Sequence, residues 1–419
     1  IIEGFCLVFL KLFMPIRMLR KLIYSIFCIF LLESLQSQAD WQQIHVDVVY
    51  LASEDLEGRG TGKNGEKLAA AYIAKRFSDI GLSPKGNNGW YQSFAFSSNP
   101  HEKNLKDING TNVIGFLDRK AKTTIVIGAH YDHLGHGDTG SRAPNDHSVH
   151  NGADDNASGV SSMLWLAEQL SKIKKLKSNI IFVAFSGEEY GLHGSKAFTE
   201  NPTVPLSSIS AMLNMDMVGR LNPERTILIS GVGTAKEWNQ ILDQVKPSNL
   251  QYNRSESGIG PSDHTSFYLK NIPVLHFFTG QHQDYHKPSD DSPIVNYSGI
   301  LDISKLIRDV VVQVSDRRTL AFQKTKDENK EQSSSFKVTL GVMPDYVYSG
   351  KGMRIDAVLD DRPAMKSGMQ NGDIILKVGE MEIKDIYDYM KALGKYSKGE
   401  KTDVIILRKD KEMNMSVEF

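Results

Sequence analysis

The sequence predicts an α/β protein with a mostly parallel central sheet and helices on both faces, followed by a small β-rich domain. Three observations predict it. Apolar runs recur at Thr123–Ala129, Asn179–Phe185, Ile209–Leu213 and Ile272–Phe278, each bounded by polar or turn residues. Apolar along their length, they suit strands covered on both faces, as in parallel sheets. Helical periodicity alternates with these runs. A polar stretch, Gln323–Ser335, then separates this pattern from a different one beyond it.

Residues 64–80 (NGEKLAAAYIAKRFSDI) carry apolar side chains at helical spacing, and Gly81 supplies a stop signal. Between the first two apolar runs lies Ala157–Ile173. There Val160, Met163, Leu164, Ala167 and Leu170 make one helical face, with Asn156 or Ser158 placed to cap it. Gln323–Ser335 has no apolar aliphatic residue and reads as a linker. Beyond it come short strands and one helix near Asp385–Tyr396. The expected organisation is a leader over 1–39, a domain over 40–322, the linker over 323–335 and a second domain over 336–419.

Composition sets limits on function. The 419 residues are 40% hydrophobic and 24% charged, with a formal net charge of −1. No basic excess points to nucleic acid, and no acidic block points to a solvated tail. The leader differs. Met18-Leu-Arg-Lys21 is basic, and Leu22–Leu32 is apolar but short for a bilayer span. Ser37 and Ala39 put small residues at the −3 and −1 positions of a cleavage site before Asp40. Residues 18–39 therefore read as a signal peptide. The expectation is an exported chain, periplasmic or extracellular, without a stable membrane span once processed. Both cysteines, Cys6 and Cys28, lie in the leader, so the remainder has neither disulfide nor thiolate ligand.

Clusters of carboxylate and imidazole follow the apolar runs: His130-Tyr-Asp-His133, Asn151-Gly-Ala-Asp-Asp-Asn-Ala-Ser-Gly159, Gly187-Glu-Glu-Tyr190, Asn214-Met-Asp-Met217 and Asp284-Tyr-His286. The carboxyl ends of parallel strands form the ligand crevice of an open α/β sheet, so these clusters converge at one edge. Imidazole with carboxylate suits zinc, and manganese or cobalt also fit. A pair of such ions polarises a carbonyl and lowers the pKa of water. Alone, a pair such as Glu188-Glu189 is more often a helix cap or a solvated loop. Five clusters in order, each after a strand pattern, are a far stronger signal.

The segments GAHYDH (128–133), GADDNASG (152–159), SGEEYGLHGS (186–195), NMDMVG (214–219) and DYH (284–286) resemble the co-catalytic zinc aminopeptidase family over roughly residues 45–315. That family includes bacterial leucyl aminopeptidase and aminopeptidase Y and is related to glutaminyl cyclase. The resemblance implies two zinc ions per chain: His130 and Asp216 hold one, Glu189 and His286 the other, and Asp154 bridges them. It implies that Glu188 is the general base and that the carboxylate of Asp132 orients His130. A cis peptide is implied after the bridging aspartate, at Asp154–Asp155. Adjacent residues leaving a strand project differently, so Glu189 can face a metal while Glu188 faces the substrate. The implied activity is release of N-terminal residues from peptides. Alternatives on the same fold are a one-zinc glutaminyl-cyclase-like acyltransferase and a carboxypeptidase or dipeptidase.

Other residues carry weaker signals. His133, His136, His147 and His150 read as water-satisfied loop histidines, and His193 as a packing or capping residue. Ser262-Asp263-His264 lacks a nucleophile-elbow pattern, so Asp263 and His264 are expected either to contact substrate or to support the ligands. Met217 resembles a specificity-pocket residue, although a methionine after a strand is more often core. Finally, Thr339-Leu-Gly-Val342 and Asp361–Ile375 resemble a PDZ domain of bacterial protease type. That likeness implies a carboxylate-binding loop at Leu340, Gly341 and Val342, with a peptide or protein ligand in the adjacent groove.

Overall fold

The computed structural model describes residues 40–96, 107–137, 140–143, 145–245, 247, 249–325, 338–344, 350–358, 362–384 and 386–419. The expected leader, and positions 326–335 of the expected linker, lie outside them.

Nine strands form the large sheet: β1 (Ser83–Pro84), β2 (Tyr91–Phe96), β3 (Ile108–Leu117), β4 (Thr124–His130), β5 (Asn179–Phe185), β6 (Ile209–Met215), β7 (Thr226–Ser230), β8 (Gln251–Ser255) and β9 (Val274–Phe278). Their order is β1-β3-β5-β4-β6-β9-β7-β8, with β2 paired to β3. The helices are α1 (residues 40–51), α2 (Asn64–Ile80), α3 (Gly159–Lys172), α4 (His193–Glu200), α5 (Trp238–Val245), α6 (His264–Tyr268) and α7 (Tyr297–Arg317).

The four runs read as buried strands are the parallel centre, β5-β4-β6-β9. In β5, Ile180, Phe182 and Ala184 enter the core shared with α2, α3, α5 and α7. Ile181, Val183 and Phe185 enter the opposite core, with Phe198 of α4 and Phe267 of α6. Burial on both faces is why this strand has no polar alternation. The sheet is mixed rather than parallel throughout, since β3 runs antiparallel to β5 and β7 antiparallel to β9. Those flanking strands include polar residues, and β7 alternates between buried and partly exposed positions, so they gave no apolar run to read.

Helix α2 spans the residues its periodicity predicts. Helix α3 starts at Gly159 because Ala153–Ser158 forms a separate π-type turn with a cis peptide between Asp155 and Asn156. Asn156 Oδ1 accepts the Gly159 N–H, giving the expected cap. The first domain extends past the expected boundary at 322. Gln323 donates to Thr234 O, and buried Thr325 bonds the Tyr268 hydroxyl.

The second domain has its own antiparallel sheet: β10 (Val342–Pro344), β11 (Met353–Val358), β12 (Ile374–Val378), β13 (Met381–Glu382), β14 (Lys401–Arg408) and β15 (Lys411–Glu418). Helices α8 (Pro363–Lys366) and α9 (Ile386–Leu393) accompany it. Leu340, Met353, Ile355, Ile375, Val404 and Ile406 lie in its separate core.

Candidate metal centre

The parallel strands deliver the chemistry to one sheet edge. His130 is the last residue of β4, Glu188 and Glu189 follow β5, Asp216 follows β6, and His286 lies in the loop after β9. The turn over Ala153–Ser158 adds Asp155. These residues meet at short range. His130 Nε2 is 3.2 Å from Asp216 Oδ1 and 3.3 Å from Asp155 Oδ1. His286 Nε2 is 3.2 Å from both Asp155 Oδ2 and Glu189 Oε2.

These spacings fit zinc. Tetrahedral donors about 2.0–2.1 Å from one ion stand about 3.3 Å apart. The imidazoles fit as well. His130 Nδ1 lies 3.2 Å from Asp132 O and His286 Nδ1 2.9 Å from Gly140 O, arrangements in which Nδ1–H donates to a carbonyl and leaves the Nε2 lone pair facing the centre. Three carboxylates with two neutral imidazoles largely offset two divalent charges.

The carboxylate between His130 and His286 is that of Asp155, not of the expected Asp154. Asp154 Oδ1 accepts from the Gly219 N–H at 2.6 Å and the Ser158 hydroxyl at 3.0 Å, while Oδ2 stands 3.1 Å from His282 Nε2. The cis peptide follows Asp155, at Asp155–Asn156 rather than at the expected Asp154–Asp155. The turn sends adjacent carboxylates to different sides, and a run of two aspartates does not reveal which faces the histidines.

His133 is a second correction. It is fully buried, and its Nδ1 lies 2.7 Å from Glu189 Oε1 but 3.9 Å from Asp155 Oδ2. The shorter distance is that of a hydrogen bond, not of two donors sharing an ion. His133 thus holds one Glu189 oxygen while the other faces His286. His150 is also fully buried, bonded to Ser141 Oγ and Ser148 O. His193 packs as expected, stacked on Phe96 at 3.9 Å.

Asp132 acts differently from the implied arrangement. Its carboxylate is 3.7 Å from His130 Nδ1, too far for a hydrogen bond, and its backbone carbonyl faces that nitrogen instead. The carboxylate accepts from Thr61 Oγ1 at 2.8 Å and from the Glu188 N–H at 3.2 Å, which fixes the backbone beside the centre.

Two supports were given no role by the sequence. Buried Arg59 donates to the carbonyls of Leu51, Tyr131, Asn151 and Gly152, behind both His130 and the aspartate turn. Asp290 accepts the backbone N–H groups of Asp154 and Asp155. Only long-range folding brings them to the turn.

Electrostatics sort the carboxyls. Burial opposes charge on Asp155, yet hydrogen bonds from His130 and His286 hold it well below the usual range. Glu189 is likewise opposed by burial, but His286 and His133 bring it to about 2. Glu188 goes the other way: burial, reinforced by Asp216, Glu189 and Asp263 against the pull of His130, pushes it well above the carboxylate range.

Met217, Asp263 and His264 do not line an open pocket. Met217 is 3% exposed and the other two are fully buried, with His264 stacked on His276 at 4.4 Å. Asp263 is raised to about 7, chiefly by burial. It is fully buried and interacts electrostatically with His130 and Asp216. In the second domain, Leu340 is core, Gly341 has φ +73°, and Val342 opens β10, which pairs with β11 and ends the sheet. Gly341 lies against Arg362, where a Cβ would fall 2.1 Å from the arginine's own Cβ.

Comparison with known proteins agrees with this architecture. The family described as Peptidase family M28 matches residues 112–311, and the PDZ domain family matches 309–419. A probable leucine aminopeptidase of Trichophyton verrucosum is 27% identical over 221 residues, covering 49% of this chain and 56% of that protein. The chain spans about half the length of the curated relatives it matches. Among solved structures, a Zn-dependent exopeptidase from Parabacteroides distasonis aligns at TM-score 0.53 and 17% identity, covering 65% of this chain and 97% of that one. Glutaminyl cyclase from Porphyromonas gingivalis aligns at TM-score 0.51 and 18% identity, covering 68% and 98%. At such identities the structural likeness speaks for the fold alone.

Proposed function

We propose that this chain, a peptidase family M28 protein with a C-terminal PDZ domain, is an exported aminopeptidase that uses two zinc ions to release N-terminal residues from peptides. His130, Asp216 and Asp155 would hold one ion, and His286, Glu189 and Asp155 the other. The observation that carries the reading is the Asp155 carboxylate, whose oxygens stand 3.3 and 3.2 Å from the Nε2 atoms of His130 and His286. A bound ion pair supplies Lewis acidity toward the scissile carbonyl and makes water acidic enough to attack near neutral pH.

The chain's own residues do the rest. Glu188, partly exposed beside the donors, accepts the proton of the attacking water and returns it to the leaving amine. Asp132 holds the Glu188 backbone, and His133 holds Glu189 by a donated hydrogen bond. Two complete donor sets, rather than one, favour the peptidase over a one-zinc cyclase. The outer edge of β10 offers an extended peptide a strand to pair with, which is how PDZ domains take their ligands.

The test is an assay of metal-loaded protein on leucine and alanine anilides, N-blocked peptides and peptides beginning with glutamine, with zinc measured in parallel. About two zincs per chain and cleavage of unblocked substrates alone are expected. Equal cleavage of N-blocked substrates would refute the aminopeptidase reading. Glutamine cyclisation with one zinc would replace it.

A further inference from the structure

We infer that the outward face of α1 docks reversibly on a lipid surface. Helix α1 turns Ile44, Val48 and Leu51 into the core, each fully buried. On its other side Trp41, Val46, Val49 and Tyr50 are 39–53% exposed. Gln42 is the only polar residue among its exposed positions, and none is charged. Such a face has no reason to be apolar if it meets only water.

The patch continues beyond the helix. Tyr72 stacks on Tyr50 at 4.1 Å, Leu68 is 41% exposed one turn before Tyr72, and Tyr297 meets Trp41 edge-on at 5.9 Å. Seven large apolar side chains are exposed among the described residues of the first domain, and five of them (Trp41, Val46, Val49, Tyr50 and Leu68) are on this patch. Clustering of this kind marks a contact surface, whereas scattered apolar residues do not.

Size and composition choose the occupant. A helix of this length is about 18 Å long and roughly 10 Å wide. Even widened to about twice that by Leu68 and Tyr72, the footprint stays below the roughly 800 Å² that each partner of a stable dimer buries. A bilayer interface imposes no such threshold. It accepts a shallow apolar helix face and favours the amphipathic rings of tryptophan and tyrosine at headgroup depth. The position in the chain agrees. Leu22–Leu32 ends eight residues before Asp40, so until it is cleaved a leader engaged with a membrane brings α1 within about 30 Å of it. The inference does not depend on the zinc centre.

The experiment uses the full chain as the host yields it. Flotation with vesicles of phosphatidylethanolamine and phosphatidylglycerol measures binding. Tryptophan quenching by brominated lipid reads Trp41, because Trp165 and Trp238 are buried and Trp90 is partly covered. We expect vesicle binding and quenching in the parent chain. The pair Val46→Asp and Val49→Asp should weaken binding at least about tenfold while leaving turnover of a soluble anilide intact. Val46→Ser with Val49→Ser, milder for folding, should lower binding in the same direction. Unchanged vesicle binding in both variants would overturn the inference. So would a dimer in sedimentation that shields Trp41 and dissociates in the aspartate variant.

Discussion

Asp154 and Asp155 are neighbours in the chain, yet their carboxylates serve opposite sides of one turn. Asp155 reaches His130 and His286, whereas Asp154 accepts from Gly219 and Ser158. Asp155→Asn should therefore cost both ions, taking zinc content from about two per chain to below one. Asp154→Ala should keep the donor set but leave the buried Gly219 N–H without its acceptor, since the Ser158 hydroxyl still has the residue-154 carbonyl, at about 1–3 kcal/mol of stability. Zinc analysis and thermal unfolding of the two variants separate these outcomes. Metal loss confined to Asp154→Ala would restore Asp154 to the bridge.

Glu188 donates no atom to the donor clusters but sits beside them. Glu188→Gln should lower kcat by about 10²–10⁴-fold, the usual contribution of a positioned acid–base group, with zinc content unchanged. Steady-state kinetics with metal analysis on the same preparation make the check. Parallel loss of zinc would mean that Glu188 is a ligand.

His133 stands against Glu189, its Nδ1 2.7 Å from Oε1. His133→Phe removes that hydrogen bond and should weaken zinc by about 10–100-fold, as lost partners of metal ligands typically do. His133→Asn restores a donor and should recover part of the affinity. Chelator competition reads both. If the stoichiometry drops by a whole ion in both variants, His133 is itself a ligand.

Metal uptake should release protons. Burial lowers the proton affinity of His130, but Asp216 and Glu188 more than reverse this, and Glu189 and Asp155 do the same for His286, so both stand well above 6.5. In the metal-free chain they keep a proton to higher pH than a free imidazole, and each must lose that proton to offer a lone pair. Zinc affinity should rise with pH until both imidazoles are neutral, with up to about two protons released at pH 7. Titration calorimetry in two buffers of different ionisation heat measures this number. Zero release would contradict it.

Much of the fold was legible because it depends on local chemistry. Helix α2 and strand β5 have the limits their apolar pattern implies. The parallel centre was readable because strands buried on both faces must be apolar throughout. The antiparallel flanks were not, since β3 and β7 are partly polar. His130, Glu189, Asp216 and His286 were legible as a group because each follows an apolar strand, and parallel strands end at one edge.

The sequence alone determined which residue types could form the centre and which strands would carry them. The tertiary structure decided the rest: Asp155 rather than Asp154 between the two histidines, His133 against Glu189, and Arg59 and Asp290 behind the turn. The physical reason is direction. Residue type and spacing place a side chain on an element, but which way it points within an irregular turn depends on partners far away in the chain, here Arg59 and Asp290 binding the backbone of residues 151–155.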